Sequence, residues 1–161
     1  MSLMNGNTLL LEKVISGGQT GVDRAALDVA LAGKRLAAGG FCPRGRRAED
    51  GRIPARYPVR EAAERAYAAR TRRNVRAADA TLVLTRQAPR GGTALTLRVA
   101  RAADTPCRHV CLPAASGQEA ATRQWLAATG VRTLNVAGPR ASEEAGVYEA
   151  ARTFLKTVLT T

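Results

Sequence analysis

Four segments rich in glycine or arginine hold most of the residues that could do chemistry. The first, "SGGQTG", runs from Ser16 to Gly21 and leads directly into the helical run "VDRAALDVAL". A helix that starts after such a turn points free N–H groups and the positive end of its dipole into it, which favours an anion. Gly17, Gly18 and Gly21 let a ligand approach the backbone, Gln19 and Thr20 add polar side chains, and Asp23 and Arg24 open the helix. Thr20 and Asp23 also have the spacing of a capping box with Asp in place of Glu. A tight turn with a capped helix would have these features without any ligand, so the turn alone does not name one.

The missing residues are more selective. Against the dinucleotide fingerprint, Ser16 stands where the first glycine belongs, and the second strand ends "LAAGGF" without the acid that binds an adenosine ribose. NAD is therefore disfavoured. The turn also lacks the Gly-Lys-Ser/Thr ending with which a Walker A loop holds phosphate and magnesium, so ATP chemistry by that route is excluded.

The other three segments repeat the theme. "RQAPRGGTALT" places Gly91 and Gly92 before Thr93, again after an apolar run and before a helix. "GGFCPRGRRAEDGRIPARYP" gathers Arg44, Arg46, Arg47 and Arg52 around Glu49 and Asp50, and "NVAGPRAS" supplies Arg140 and Ser142. Arginine presents a planar fork of donors suited to phosphate and other oxyanions.

Strand and helix signals alternate along the whole chain. Strands are expected at Leu9–Ser16, Leu36–Ala38, Ala80–Thr85, Cys107–Leu112 and Arg132–Val136. Helices are expected at Val22–Ala32 (closed by Gly33), Arg60–Ala77, Thr93–Ala103, Gly117–Ala128 and Ser142–Thr160. Such alternation implies an α/β fold with a mainly parallel, doubly wound sheet covered on both faces. In such a sheet all four segments follow strands and share the carboxyl edge, where ligands bind. The strands before the two glycine turns are expected to be neighbours at the point where chain progression reverses. Together the segments describe a cradle for a small, multiply anionic ligand. The stretch from Gly39 to Pro58 is long for a structureless loop and is expected to be functional or disordered.

Composition sets the outer limits. The chain has 161 residues, enough for one domain and too few for two comfortable ones, so residues 1–161 are read as a single domain with 1–8 as a leader or flexible N-terminus. Aromatics make up only 4%, against 45% hydrophobic residues overall, which suits close helix-on-sheet packing and not a base-stacking platform. The net charge of +12 is carried almost wholly by arginine. Scattered arginines read as solvated surface, and those gathered in one loop as a binding set. Three cysteines make no disulfide framework, and no apolar stretch or signal segment points to a membrane or to export, so a cytoplasmic protein is expected.

These motifs, in this order from about Lys13 to the final helix and together with "RTRRNVRAADATLVL", resemble the molybdenum-cofactor carrier proteins. The resemblance implies a Rossmann-like three-layer sandwich related to the cytokinin-activating phosphoribohydrolases. It implies a homo-oligomer that binds the molybdenum cofactor, a phosphate-bearing pterin with a dithiolene-held oxo-metal, and protects it or hands it to apo-molybdoenzymes. Carried onto this sequence, the cofactor-binding positions are Gly17, Gly18, Gln19, Thr20, Gly21, Asp23, Arg24, Arg44, Arg46, Glu49, Asp50, Gly91, Gly92, Thr93, Arg140 and Ser142. Such a carrier needs no catalytic residue and no protein ligand on the metal. Phe41 departs from the tryptophan expected there.

Two other readings stand beside it. One is a nucleotide-binding protein or a nucleoside-monophosphate phosphoribohydrolase, whose turn would carry a glutamate. "RGGTALT" has none, leaving Asp23, Glu49 or Asp50 as acid or base. The other is nucleic-acid binding through "RTRRNVR", but these arginines spread around a helix instead of forming one stripe. "CRHVC" places Cys107, His109 and Cys111 on one strand face, with the cysteines about 13 Å apart and unable to share a zinc at bonds of about 2.3 Å. They read as buried strand residues. Cys42, among the arginines, is read either as an ordinary thiol or as one with a lowered pKa in contact with ligand.

Overall fold

A computed structural model describes residues 8–160; residues 1–7 of the expected leader lie outside the described residues. In chain order the elements are β1 (Lys13–Ile15), α1 (Val22–Gly33), β2 (Ala37–Gly39), β3 (Phe41–Cys42), β4 (Arg47–Ala48), β5 (Gly51–Arg52) and β6 (Arg60–Glu61). They continue with α2 (Tyr67–Ala77), β7 (Ala80–Thr85), α3 (Gly91–Ala102), β8 (Cys107–Cys111), α4 (Gln118–Thr129), β9 (Thr133–Ala137) and α5 (Val147–Leu159).

Five parallel strands form the central sheet in the order β2-β1-β9-β7-β8. Right-handed crossovers then put α1 and α4 on one face and α2 and α3 on the other. The packing agrees: α5 lies against α1 and α4, and α2 against α3. The result is the expected three-layer Rossmann-like sandwich.

The core explains the low aromatic content. Val14, Leu82, Leu84, Leu134 and Val136 fill the sheet, and α1 presents Val22, Ala25, Ala26, Val29 and Ala30 to it, all buried. These small side chains let the helix ride close, while Phe154, Leu155, Val158 and Leu159 of α5 close the same layer.

The strand order corrects one expectation. β1 and β7 are not neighbours, because β9 lies between them and pairs with both, Val14 opposite Leu134 and Leu82 opposite Val136. Its central place suits its composition: Leu134, Asn135 and Val136 are buried, and the Asn135 amide donates to Thr81 Oγ1 at 3.3 Å. Counting β9 as the first strand and following it with β1, β2, β7 and β8, the order reads 3-2-1-4-5, as in a doubly wound sheet. The chain is thus wound as if the last strand and helix of such a domain had been moved from its front. The progression reverses at β9, and its crevice with β7 is the switch point.

Other boundaries shift for local reasons. The first strand is shorter than Leu9–Ser16, and the left-handed residue closing α1 is Lys34 (φ 57) instead of Gly33. Residues 60–66 are not helical: Arg60 and Ala62 donate backbone N–H groups to Gly40 and Cys42 at 2.8 Å, adding β6 beside β3. Residues 142–146 precede α5 as a turn, where Glu144 accepts the Arg86 and Gln87 N–H groups at 2.5 and 3.1 Å. β8 is an edge strand, so Cys107 is only half-buried and Cys111 is exposed, while His109 Nε2 pairs with Thr85 Oγ1 at 2.8 Å.

The stretch from Gly39 to Pro58 is ordered. β4 and β5 form a hairpin with Glu49 and Asp50 at its tip, and Ile53, Tyr57 and Val59 bury themselves with Leu27 and Cys42 in a second small core.

Candidate functional site

The β1–α1 turn is buried and pressed against the segment after β9. Gly21 has φ 81, and a Cβ there would fall 2.9 Å from the backbone of Arg140 and Ala141. The capping box does not form, since Gly21 itself is the N-cap and Thr20 Oγ1 bonds to Glu49 instead. Asp23 Oδ2 accepts the Gln19 N–H at 3.2 Å, and Ser16 Oγ donates to the Asp23 carbonyl at 2.9 Å, tying turn to helix.

At the switch point this turn, α2, the start of α3 and the β9–α5 segment enclose a cleft of about 160 Å³. Of the expected residues, Gln19, Asp23, Gly92, Thr93 and Arg140 line it. Thr71 and Thr96 add hydroxyls, Gly138, Tyr67, Glu143 and Arg70 add to the wall, and Leu95 and Ala137 give it an apolar part. The two glycine turns therefore do converge, across β9 and not from adjacent strands.

Sequence reasoning missed Tyr67, Thr71, Thr96, Glu143 and, most consequentially, Arg70. Arg70 lies over Gly17, where a Cβ would collide with its guanidinium, and Nη1 sits 3.5 Å from Asp23 Oδ2. Its Nε is buried with no hydrogen-bond partner, alone in this among the buried side-chain atoms of the described residues. A buried unpaired donor is costly and marks a place where a partner is missing. A signal was present in the sequence: Arg70, Thr71 and Asn74 recur at helical spacing, and Thr71, Asn74 and Val75 are the buried face of α2.

The other expected residues hold the frame of the cleft. Arg24 forms a two-pronged pair with Asp50 at 2.6 and 2.8 Å, and its Nε donates to the Gly18 carbonyl at 3.0 Å. Arg46 donates to the carbonyls of Ile53, Val59, Pro54 and Tyr57 and so shapes the long loop. Glu49 accepts from Thr20 Oγ1, from Ser142 Oγ at 2.5 Å and from the Ser142 N–H at 3.1 Å, with Arg140 Nε 3.8 Å away. These bonds join the hairpin tip to the first turn and to the segment after β9. Arg44 is exposed, and Gly91 stands in open space outside the cleft.

Electrostatics divide the acids. Burial pushes the Asp23 carboxyl up to about 6, against the opposing pull of Arg70, of the Gln19 and Gly17 N–H groups and of Arg24. Glu49 also feels burial, but hydrogen bonds from Ser142 and Thr20 outweigh it and hold its carboxyl below the ordinary range. The Arg24 hydrogen bond does the same for Asp50. Burial raises the Cys42 thiol and Arg46 only partly opposes it, so the lowered pKa considered for Cys42 is overturned.

The polar lining combines hydroxyls and the guanidinium groups of Arg70 and Arg140 with the carboxyls of Asp23 and Glu143 and the Gln19 amide, and it includes no cysteine or histidine. Among the described residues no cluster of His, Cys, Asp and Glu could hold a metal ion directly, and no helix is long and apolar enough to cross a membrane.

Comparison with known proteins gives two matches. The family described as "Circularly permutated YpsA SLOG family" matches residues 14–159. A crystal structure of a "Putative molybdenum carrier protein" from Syntrophus aciditrophicus SB superposes with a TM-score of 0.89 at 40% identity, covering 94% of this chain and 97% of that one. No curated protein matches the chain.

Proposed function

Because the chain belongs to the circularly permutated YpsA SLOG family and is 40% identical to a protein described as a "Putative molybdenum carrier protein", we propose that it binds the molybdenum cofactor. The single observation that carries this reading is Arg70, a half-buried arginine whose buried Nε has no partner, beside a cleft between two helix N-termini. An oxyanion there would meet the α3 amide at Gly92, the Thr93 hydroxyl, Arg70 and Arg140, while the Thr93 N–H and the Thr96 hydroxyl already donate to the Arg90 and Gly92 carbonyls. The cleft is smaller than the roughly 300–1,000 Å³ that engulfs a whole drug-sized ligand. It suits a phosphate or oxo-metal headgroup whose pterin lies outside. The donor set matches the oxygens of this cargo and makes no demand on protein thiolates. Delivery to apo-molybdoenzymes in the cytoplasm, by a homo-oligomer, completes the proposal.

Titration of the chain with molybdenum cofactor, followed by calorimetry and by metal analysis of the desalted protein, tests it. Saturable binding is expected. Arg140→Ala and Arg70→Lys should each weaken it about tenfold or more, the scale of losing one charge-assisted hydrogen bond. Arg132→Ala, paired with Glu12 at the opposite edge of the sheet, should leave it unchanged. Equal retention by all four proteins would overturn the site.

One observation favours a second reading. An acid held near 6 inside a cleft is poised for general acid–base work, so Asp23 is the candidate for a phosphoribohydrolase. Release of free base from nucleoside monophosphates, lost in Asp23→Asn, would establish it over carriage.

A further inference from the structure

Asp23 is a puzzle for a simple anion cradle. Asp23 lines the cleft and its side chain is only 5% exposed, so an ionised Asp23 would stand beside any bound oxyanion with little solvent at the carboxyl to screen the repulsion. The nearby arginines do not remove the conflict. Arg70 is 3.5 Å away at one nitrogen, and Arg24, on the helix of Asp23 itself, is committed to Asp50. From the β9–α5 segment come Arg140 and Glu143, which pair with each other at 2.7 Å. The hairpin contributes Glu49, held by Thr20 and Ser142, and the cleft-lining residues of α3 are uncharged. Two acceptors that meet where one of them is buried are reconciled when one proton lies between them.

We propose that Asp23 makes this cleft a proton-coupled oxyanion site: an oxyanion that carries its own proton donates it in a hydrogen bond to Asp23, and a fully ionised oxyanion binds only with uptake of one proton by Asp23. The inference rests on the reading of the cleft as an oxyanion site and adds which protonation state the site selects. Geometry sets the roles. Arg70, the Gly92 N–H and the Thr93 hydroxyl supply donors to most of the oxyanion, and Asp23 reads the one oxygen that faces it. The proton balance is complete, since the proton comes from solvent on binding and returns there on release. The raised pKa supports this, because the carboxyl already holds a proton more readily than an ordinary aspartate. For a phosphate monoester, whose second ionisation lies near 6, the same site would take the monoanion directly or the dianion with a proton. Release of such a ligand would then be favoured as the pH rises.

Inorganic phosphate and sulfate separate the two cases, because hydrogen phosphate keeps a proton through the neutral range and sulfate has none. The full chain is titrated with each by calorimetry from about pH 5 to about pH 8, in two buffers of different ionisation enthalpy. Sulfate affinity should fall about tenfold per pH unit above the Asp23 pKa, with close to one proton taken up per sulfate. Phosphate affinity should stay nearly level with little proton uptake. In Asp23→Asn, sulfate binding should lose its pH dependence and approach that of phosphate. Parallel pH profiles for the two anions, or sulfate binding without proton uptake, would overturn the inference. So would binding of molybdenum cofactor with neither anion bound at any pH. Failure of both anions and of the cofactor to bind would overturn the carrier reading as well. The two-buffer comparison uses the unmodified protein, so the result does not depend on the variant folding.

Discussion

Asp23 is 3% exposed, and its carboxyl sits at about 6 instead of 3.8, first because burial disfavours the charge. The folded chain therefore holds a proton between these values that the unfolded chain has already lost. The stabilisation is complete below the unfolded pKa and fades as pH rises through the folded one. A gap of about two pKa units corresponds to about 3 kcal/mol. Asp23→Asn keeps an acceptor for the Gln19 N–H but does not titrate. Urea unfolding of both proteins should show wild type losing about 3 kcal/mol relative to Asp23→Asn between about pH 4 and about pH 6. A constant difference across that window would mean that Asp23 titrates normally. At this scale the sequence is only half legible. Gln19, Gly92, Thr93 and Arg140 are visible as donors at strand ends, where charge and glycine content mark them. Arg70 is less so: its spacing from Asn74 puts it beside the buried face of α2, but four arginines in "RTRRNVR" share one composition and packing decides which turns inward.

At the scale of elements, the β4–β5 hairpin acts as a strap across the carboxyl edge. Its tip is fixed at two points, with Asp50 on Arg24 of α1 and Glu49 on Thr20 and Ser142, so three segments distant in sequence are bound through two adjacent carboxylates. Glu49→Gln keeps the shape of the tip and removes its charge. The variant should lose about 1–2 kcal/mol, since hydrogen bonds to a charged acceptor exceed those to a neutral one. Hydrogen exchange should quicken at residues 47–52 and 140–143 while the central sheet stays protected; unchanged exchange in the hairpin would show that Arg24 and Asp50 hold it alone. The strap also shows why the stretch from Gly39 to Pro58 was hard to read. Its order comes from Arg46 gathering four carbonyls and from Ile53, Tyr57 and Val59 filling a small core. Local composition there, rich in Gly, Pro and Arg, fits disorder equally well. β6 is hidden for a similar reason: Arg60 and Glu61 have helix-forming composition, and the backbone partners that hold them extended lie at residues 40–42.

At the scale of the molecule, the site depends on where β9 lies and not on where it occurs in the chain. The run "ATLVLT" announces a buried strand, and the alternation announces a parallel sheet, but no local pattern records that a strand at residue 133 inserts between strands at 13 and 80. That placement brings Arg140 and Gly138 between the two glycine turns and builds the cleft. If the sheet order alone is what the fold requires, the chain can be reconnected without harm. The ends of the described chain favour this. α5 finishes beside the start of β2, where Arg35 Nη2 donates to the Leu159 carbonyl at 3.2 Å. The segment leading into β1 reaches the same strand, with the Ala37 N–H donating to Glu12 at 2.9 Å. Both ends thus reach the amino edge of the sheet near β2. A permutant opened at the exposed Thr129–Gly130 step, with residue 160 joined to residue 8 by a flexible Gly/Ser linker, would begin with β9 and α5 and read in the unpermuted strand order. It should fold with the same circular dichroism, unfold cooperatively, and bind the same oxyanions with the affinity of the parent. A permutant that folds but loses binding would show that the present connection from α4 to β9 tunes the cleft. One that collapses without cooperative unfolding would show that chain order, and not only strand order, specifies this sheet.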